Sequence, residues 1–347
     1  MTTYPEEIER TIGTPPSLVQ LLELPWKPRA IHVAARLHLA ETLADGPRTV
    51  AELAEASGTH APSLYRLLRA LACIGIFAQL DEGRFANNEL SSLLHPDVPG
   101  SLYVLAMTAT DWSWHAWGEL LHSVQTGKPG FDKVYSMSMW QYLTECDPES
   151  GALFNKALTD FSVAGDASVA QAADLAGVHT VVDVGGGHGG LLMTLLATHS
   201  SIEQGILFDQ PHVIDEARSA LSPARDGRLQ LDGGDFFTAV PAGADLYVMK
   251  QILHNWDDAA CIQLLTTCQH AMPNHSRVLA VELVIDPDRI DEHACNLDLQ
   301  MLVYFASRER TAAEFRALYD AAGLHLTRIM PTTSALCLIE GIPQGNG

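Results

Sequence analysis

"VVDVGGGHGG", residues 181–190, decides how the rest of the chain is read. Val181, Val182 and Val184 flank an acid, Asp183, and the backbone then passes through a run of glycines broken only by His188. Such a run is needed where a strand must turn sharply and let a ligand approach the backbone with no Cβ in the way. Gly185, Gly187 and Gly190 satisfy the G-x-G-x-x-G dinucleotide spacing, and Gly189 also gives G-x-G-x-G. Asp183 stands two residues before the loop, where a carboxylate meets a cation better than a pyrophosphate. Spacing alone therefore leaves open both a dinucleotide and a sulfonium cofactor carrying an amino group.

Working outward, "HTVVDV", "GILFD", "RLQLD", "ADLYVMK" and "SRVLAVELV" are short β-rich runs separated by helical segments. That alternation predicts an α/β fold, a Rossmann-like doubly wound parallel sheet with helices on both faces. Two later runs, "LHLTRIM" and "SALCLIEG", are close enough to pair as a hairpin. Asp209 closes the second run, where an acid can accept ribose hydroxyls. "GGDFF" sets Asp235 and Phe236 after the third, a carboxylate for an adenine amino group and a ring for its face. "LYVMKQILHNWDD", residues 246–258, brings Lys250 and His254 to the end of the fourth. These groups all fall at the carboxyl ends of strands, the edge where open α/β sheets bind ligands. Helix caps and loop acids explain Asp183 or Asp209 taken singly; their joint arrangement favours a ligand.

His254 has three candidate roles: metal ligand, core filler or proton acceptor. No H-E-x-x-H pattern or compact His/Cys cluster accompanies it, and Asp257 and Asp258 read as acids in the first turn of the next helix, so no metal is expected. Glu282 ends the fifth run beside the fourth, where it can orient the imidazole and stabilise its protonated form.

The first hundred residues read as helices closed by a short hairpin. Thr49 and Glu52 form a capping-box pattern, Pro62 suits a first helical turn, and Leu64, Leu67, Leu68 and Leu71 make one apolar stripe. "IGIFAQLDEGRFANN" then reads as two strands around an Asp-Glu-Gly turn. Helix, turn, helix and wing is a DNA reader's layout, yet Arg48, Arg66, Arg69 and Arg84 are offset by Glu52, Glu55, Asp81, Glu82 and Glu89. A packing or dimerisation module over 1–100 is expected instead, followed by a domain over 101–347. Within it, 101–165 is a helical, aromatic-rich connector whose large side chains read more readily as core between domains than as a ligand wall, and 166–347 is the Rossmann-like core. The 347 residues, 47% of them hydrophobic, suffice for these two cores. A net charge of −21, from 42 acids against 21 bases, argues against nucleic acid and anionic membrane surfaces as partners. The six cysteines show no CxxC pair, and neither an export signal nor a membrane-spanning run is evident, so a reduced, cytoplasmic protein is expected.

"VVDVGGGHGG", "LFDQP", "GDFF", "VMKQILHNWDD", "VELVIDP" and "RERTAAEF" together resemble, in order and spacing, the S-adenosylmethionine-dependent O-methyltransferases of the caffeate and acetylserotonin type. "WKPRAIHVAARL" and "LDLQMLVYF" are most similar to the bacterial branch that decorates antibiotics such as anthracyclines and mitomycins. The resemblance implies an N-terminal winged-helix dimerisation domain, a homodimer and an aromatic hydroxyl acceptor. It implies that Gly185, Asp209, Asp235, Phe236 and Lys250 hold S-adenosylmethionine, and that His254 is the general base between Glu282 and Glu309. "FNKALTDFS" resembles the family's pocket-lining segment, which makes Phe161 and Ser162 neighbours of substrate or cofactor. Met301 and Tyr304 would face the acceptor, as would Asn255, which stands where many members carry Asp. A hydroxylase or decarboxylase on the same fold and a non-enzymatic winged-helix regulator are the alternatives.

Overall fold

A computed structural model describes residues 18–108, 111–221, 227–289 and 291–344, apart from the side chains at 19, 20, 23, 155 and 157–164. The chain divides into two compact units. One runs through Trp114 and takes in Glu149–Ala157; the other holds His115–Pro148 and the chain from Leu158 onward.

In the first unit the Thr49 side chain caps the helix Val50–Ser57, and the Glu52 carboxylate accepts the Thr49 N–H at 2.7 Å, closing the capping box. The helix Ala61–Cys73 follows, with Pro62 in its first turn. Its Leu64, Leu68 and Leu71 are buried with Leu53, Phe77 and Phe85, whereas Leu67 only packs against that core. Strands β1 (Arg48–Thr49), β2 (Ala78–Gln79) and β3 (Arg84–Ala86) pair in the order β1-β3-β2, the hairpin turning through Asp81–Gly83. Helix, turn, helix and wing are all present.

In the second unit, seven strands form one sheet: β4 (Thr180–Val184), β5 (Gln204–Asp209), β6 (Leu229–Gly233), β7 (Leu246–Lys250), β8 (Arg277–Glu282), β11 (Leu324–Pro331) and β12 (Cys337–Pro343). Their order is β11-β12-β8-β7-β4-β5-β6. β4 to β8 run parallel, while β12 lies antiparallel to β8 and β11 returns antiparallel to β12, the expected hairpin. A separate ribbon pairs β9 (Val284–Ile285) with β10 (Arg310–Thr311).

The alternation of side chains along a strand splits the apolar runs between two cores. Val182, Val184, Tyr247, Met249, Val278 and Ala280 enter one; Val181, Leu246, Val248, Leu279 and Val281 enter the other. Both faces are covered, which is why these strands read as continuous apolar runs. The chain travels outward from β4 to β6 and then crosses to β7 on the other side of β4. Strand order reverses at β4 and β7, and the crevice at their carboxyl ends is where such a sheet binds ligands. Among the described residues no helix is long and apolar enough to cross a membrane.

Candidate active site

At the end of β4 the chain enters the glycine loop, where Gly185 has a φ of 71°. A Cβ there would come 2.7 Å from Ile252 Cδ1, and one on Gly186 would come 2.5 Å from Asp183 Oδ2. The loop is thus folded down on Asp183 and against the segment after β7, with no room for a side chain at Gly185 or Gly186. Asp209, ending β5, accepts the Gly187 N–H at 2.8 Å on one oxygen and the Gln210 N–H at 2.7 Å on the other. Each oxygen keeps a second lone-pair direction for a hydroxyl. Burial raises the Asp209 carboxyl above its ordinary range, against the pull of those two N–H groups.

Asp183 is 1% exposed, and its Oδ2 has no hydrogen-bond partner among the described residues. Burial, with the neighbouring Asp166 charge, pushes its carboxyl up to about 7, opposed by Lys250. Lys250, ending β7, forms an ion pair with Asp166, which lies on the helix Pro148–Ala172 and is itself buried. Sequence reading missed Asp166. Its only signal was an acid inside the apolar stretch "SVAGDASVA". After β6, Asp235 accepts the Phe237 N–H at 2.9 Å and the Thr238 hydroxyl at 3.1 Å, so its carboxylate first serves its own turn. Phe236 lies edge-on to Phe237 and Trp256, with centroids 4.8 and 6.1 Å away.

Beyond β7 the 3-10 turn Leu253–Asn255 carries His254, which is 8% exposed. Its Nδ1 lies 2.9 Å from Glu309 Oε1. A carboxylate at Nδ1 favours the neutral tautomer that carries its proton there and keeps the lone pair on Nε2. Glu282, 0% exposed, ends β8 and accepts the Ile252 and Leu253 N–H groups on Oε1 at 2.9 and 2.7 Å. The remaining oxygens, Glu282 Oε2 and Glu309 Oε2, are buried without a hydrogen-bond partner among the described residues. Burial lowers the His254 pKa, but the charge of Glu282 and the hydrogen bond and charge of Glu309 outweigh it, and the net shift is upward. Burial raises Glu282 to about 7, with His254 pulling it down and Glu309 pushing it up.

One ligand atom from each of His254, Glu282 and Glu309 lies within 4.8 Å of the others, close enough to surround a metal ion. The family resemblance implied this grouping; spacing alone gave no hint of Glu309, which is far off in the chain. Hydrogen bonds occupy Nδ1 and both Oε1 atoms.

Asn255 donates its amide to the Gln251 carbonyl at 3.0 Å. Asp257 is the N-cap of the helix Asp258–Ala271, accepting the Ala260 N–H, and Asp258 is the acid in its first turn. Met301 and Tyr304 are both buried on the helix Glu292–Phe305. The Tyr304 hydroxyl accepts from Trp117 Nε1 at 3.2 Å, and the Phe131 ring meets Tyr304 edge-on at 6.5 Å. Trp117 is thus an unforeseen neighbour of the expected acceptor wall. Phe161 and Ser162 lie on the helix Pro148–Ala172, and their side chains fall outside the described residues.

Residues 117–325 match the model of the O-methyltransferase domain, and residues 19–97 match that of the O-methyltransferase dimerisation domain. The chain belongs to the O-methyltransferase family. This methyltransferase is 39% identical to the phenazine O-methyltransferase PhzM of Lysobacter antibioticus, over 94% of the chain and 95% of the relative. It is 40% identical to the mitomycin biosynthesis 6-O-methyltransferase of Streptomyces lavendulae, over 90% and 89%. The crystal structure of NcsB1, an O-methyltransferase from neocarzinostatin biosynthesis in complex with S-adenosylmethionine and 2-hydroxy-5-methyl naphthoic acid, superposes with a TM-score of 0.84 at 34% identity. That likeness covers 95% of this chain and 100% of the other. Further relatives are N-methyltransferases. These likenesses set aside the reading of the winged helix as a non-enzymatic regulator, and the methyltransferase uses its amino-terminal module for dimerisation.

Proposed function

We propose that this methyltransferase transfers the methyl group of S-adenosylmethionine to a phenolic or enolic hydroxyl of an aromatic secondary metabolite of antibiotic or polyketide type, with His254 as general base. The observation that carries the reading is His254 Nδ1 tied to Glu309 at 2.9 Å, with Glu282 beside it. A phenol of ordinary pKa, about 10, is roughly one part in a thousand ionised at neutral pH, a handicap of about 4 kcal/mol. In our reading His254 Nε2 takes the hydroxyl proton, and the two carboxylates stabilise the imidazolium that results.

The residues at the glycine loop fit the cofactor. Asp183 offers a buried oxygen without a partner to an ammonium group, and Asp209 keeps acceptor capacity for a ribose. In this reading Gly185, Gly187, Lys250, Asp235 and Phe236 complete that side, and the family resemblance adds Ser162. S-adenosylmethionine, when bound, supplies an electrophilic methyl on a sulfonium. Met301, Tyr304, Asn255 and Phe161 would hold the acceptor. Correct alignment is worth about 7–11 kcal/mol, more than the roughly 10²–10⁴-fold of a positioned base, so the acceptor wall matters more to rate than His254 does.

Hydroxylation or decarboxylation on this fold is disfavoured by the intact set of His254, Glu282 and Glu309. The test is a screen of naphthoate, phenazine and quinone hydroxyls with S-adenosylmethionine, read by mass spectrometry. Gain of one CH2 at oxygen supports the proposal. Gain of an oxygen atom, loss of carbon dioxide, or methylation confined to nitrogen would replace it.

A further inference from the structure

The His254 ring is only as well placed as the turn that carries it. That turn follows Gln251, whose φ of 54° is left-handed. A non-glycine residue there costs on the order of 1 kcal/mol or more and persists only where surrounding contacts hold it.

Those contacts come largely from one stretch, Ser307–Arg310. Ser307 donates its hydroxyl to the His254 carbonyl, and Glu309 holds the ring. Arg310, 1% exposed, donates from Nη1 to the Leu253 carbonyl at 2.8 Å and from Nη2 to the Trp256 carbonyl at 2.7 Å. Its Nε and Nη2 reach Asp258 Oδ1 at 3.0 and 2.9 Å. A buried guanidinium is costly unless its donors are used. Here two of its targets are carbonyls before and after His254, and the third anchors the helix that follows. The Arg310 backbone belongs to β10, where it pairs in register with Val284, two residues after Glu282. One ribbon therefore ties together both carboxylates and the fork that holds the turn.

We propose that Arg310 is a positioning residue for the base: its planar fork fixes the Leu253–Trp256 backbone and thereby aims the His254 ring at Glu309. The proposal rests on reading His254 as the base. Lysine, a point donor, cannot bridge the same carbonyls, so Arg310→Lys keeps the charge and loses the geometry.

The test uses the full-length protein, labelled with 15N-histidine and saturated with S-adenosylhomocysteine. The His254 signals are assigned by their loss in His254→Ala. The wild type should hold one tautomer, protonated at Nδ1. Arg310→Lys should mix the tautomers and speed exchange of the Leu253 amide about ten-fold or more, leaving the β4 and β5 amides and S-adenosylhomocysteine affinity unchanged. A single Nδ1–H tautomer and unchanged Leu253 exchange would overturn the proposal; so would faster exchange spread evenly through β4 and β5. Should Arg310→Lys fail to fold, Asp258→Asn frees the far end of the fork at a half-exposed carboxylate. It should give a weaker form of the same signature, and wild-type spectra there would equally count against the idea. A His254→Ala protein with undiminished methyl transfer would sink the base reading instead, leaving the hold on the ring to be judged from the spectra.

Discussion

Two side chains carry the residue-scale predictions. His254→Ala should lower the transfer rate by about 10²–10⁴-fold at neutral pH while leaving S-adenosylmethionine affinity nearly unchanged. The carboxylates raise the His254 pKa above 6.5, and as a base it would work only when neutral. The wild-type rate should therefore climb through a midpoint above 6.5, and the variant should recover part of its rate at high pH, where a phenol ionises unaided. Stopped-time assays across pH would measure both; a wild-type rate in the variant at every pH returns His254 to a packing role. Asp183 makes the opposite kind of prediction. Its folded value of about 7 lies above the ordinary 3.8, so the folded state binds the proton more tightly than the unfolded one. Its contribution to stability is complete below the unfolded value and is lost as pH rises through the folded one. Asp183→Asn should accordingly raise the melting temperature of the ligand-free protein at pH about 8 and weaken S-adenosylmethionine binding about ten-fold or more, because a cation's counter-charge is gone. A ligand-free protein that melts lower would make Asp183 a structural acid.

At the scale of elements, the glycine loop and the His254 turn are pressed together. Gly185 meets Ile252, the residue that opens the approach to His254 and whose N–H bonds Glu282. Gly185→Ala should cost about 1–3 kcal/mol, one part from the positive φ and another from the overlap with Ile252. Adding Ile252→Ala relieves the overlap and leaves the φ penalty. Denaturant titration of both should therefore find the pair less destabilised by the Gly185 change than the single variant. Additive losses would mean that the two segments do not touch. The same adjacency means that packing at the glycine loop is felt at the His254 turn.

At the scale of the molecule, the helices Leu18–Glu23 and Trp26–Arg36 leave Leu18, Leu22 and Trp26 at 71%, 66% and 68% exposure. Large apolar side chains gathered in a short stretch mark a surface that another chain covers, and this stretch opens the dimerisation domain matched over residues 19–97. Light scattering should find a dimer at micromolar concentration. Leu18→Asp with Leu22→Asp should shift it toward monomer with a loss of solubility or rate. A wild-type monomer with full activity would refute the working dimer.

Much of the fold was legible because its determinants are local. Glycine's freedom at positive φ, the capping box at Thr49, the alternation that sorts valines between two cores and the strand-end acids each act within a few residues, and each left its mark on the sequence. Candidate groups at strand ends could be named for the same reason: the carboxyl edge of a parallel sheet is fixed by topology. What the sequence could not carry was distance between groups far apart in the chain. That Lys250 meets Asp166, that Trp117 bonds Tyr304 and that Arg310 grips the turn carrying His254 follow from helices and a ribbon folding back over the sheet, and the place of Glu309 beside the ring came from the family resemblance and not from spacing. The buried charge states of Asp183 and Glu282 belong to this second class, because desolvation depends on everything packed around a carboxylate and not on its neighbours in sequence.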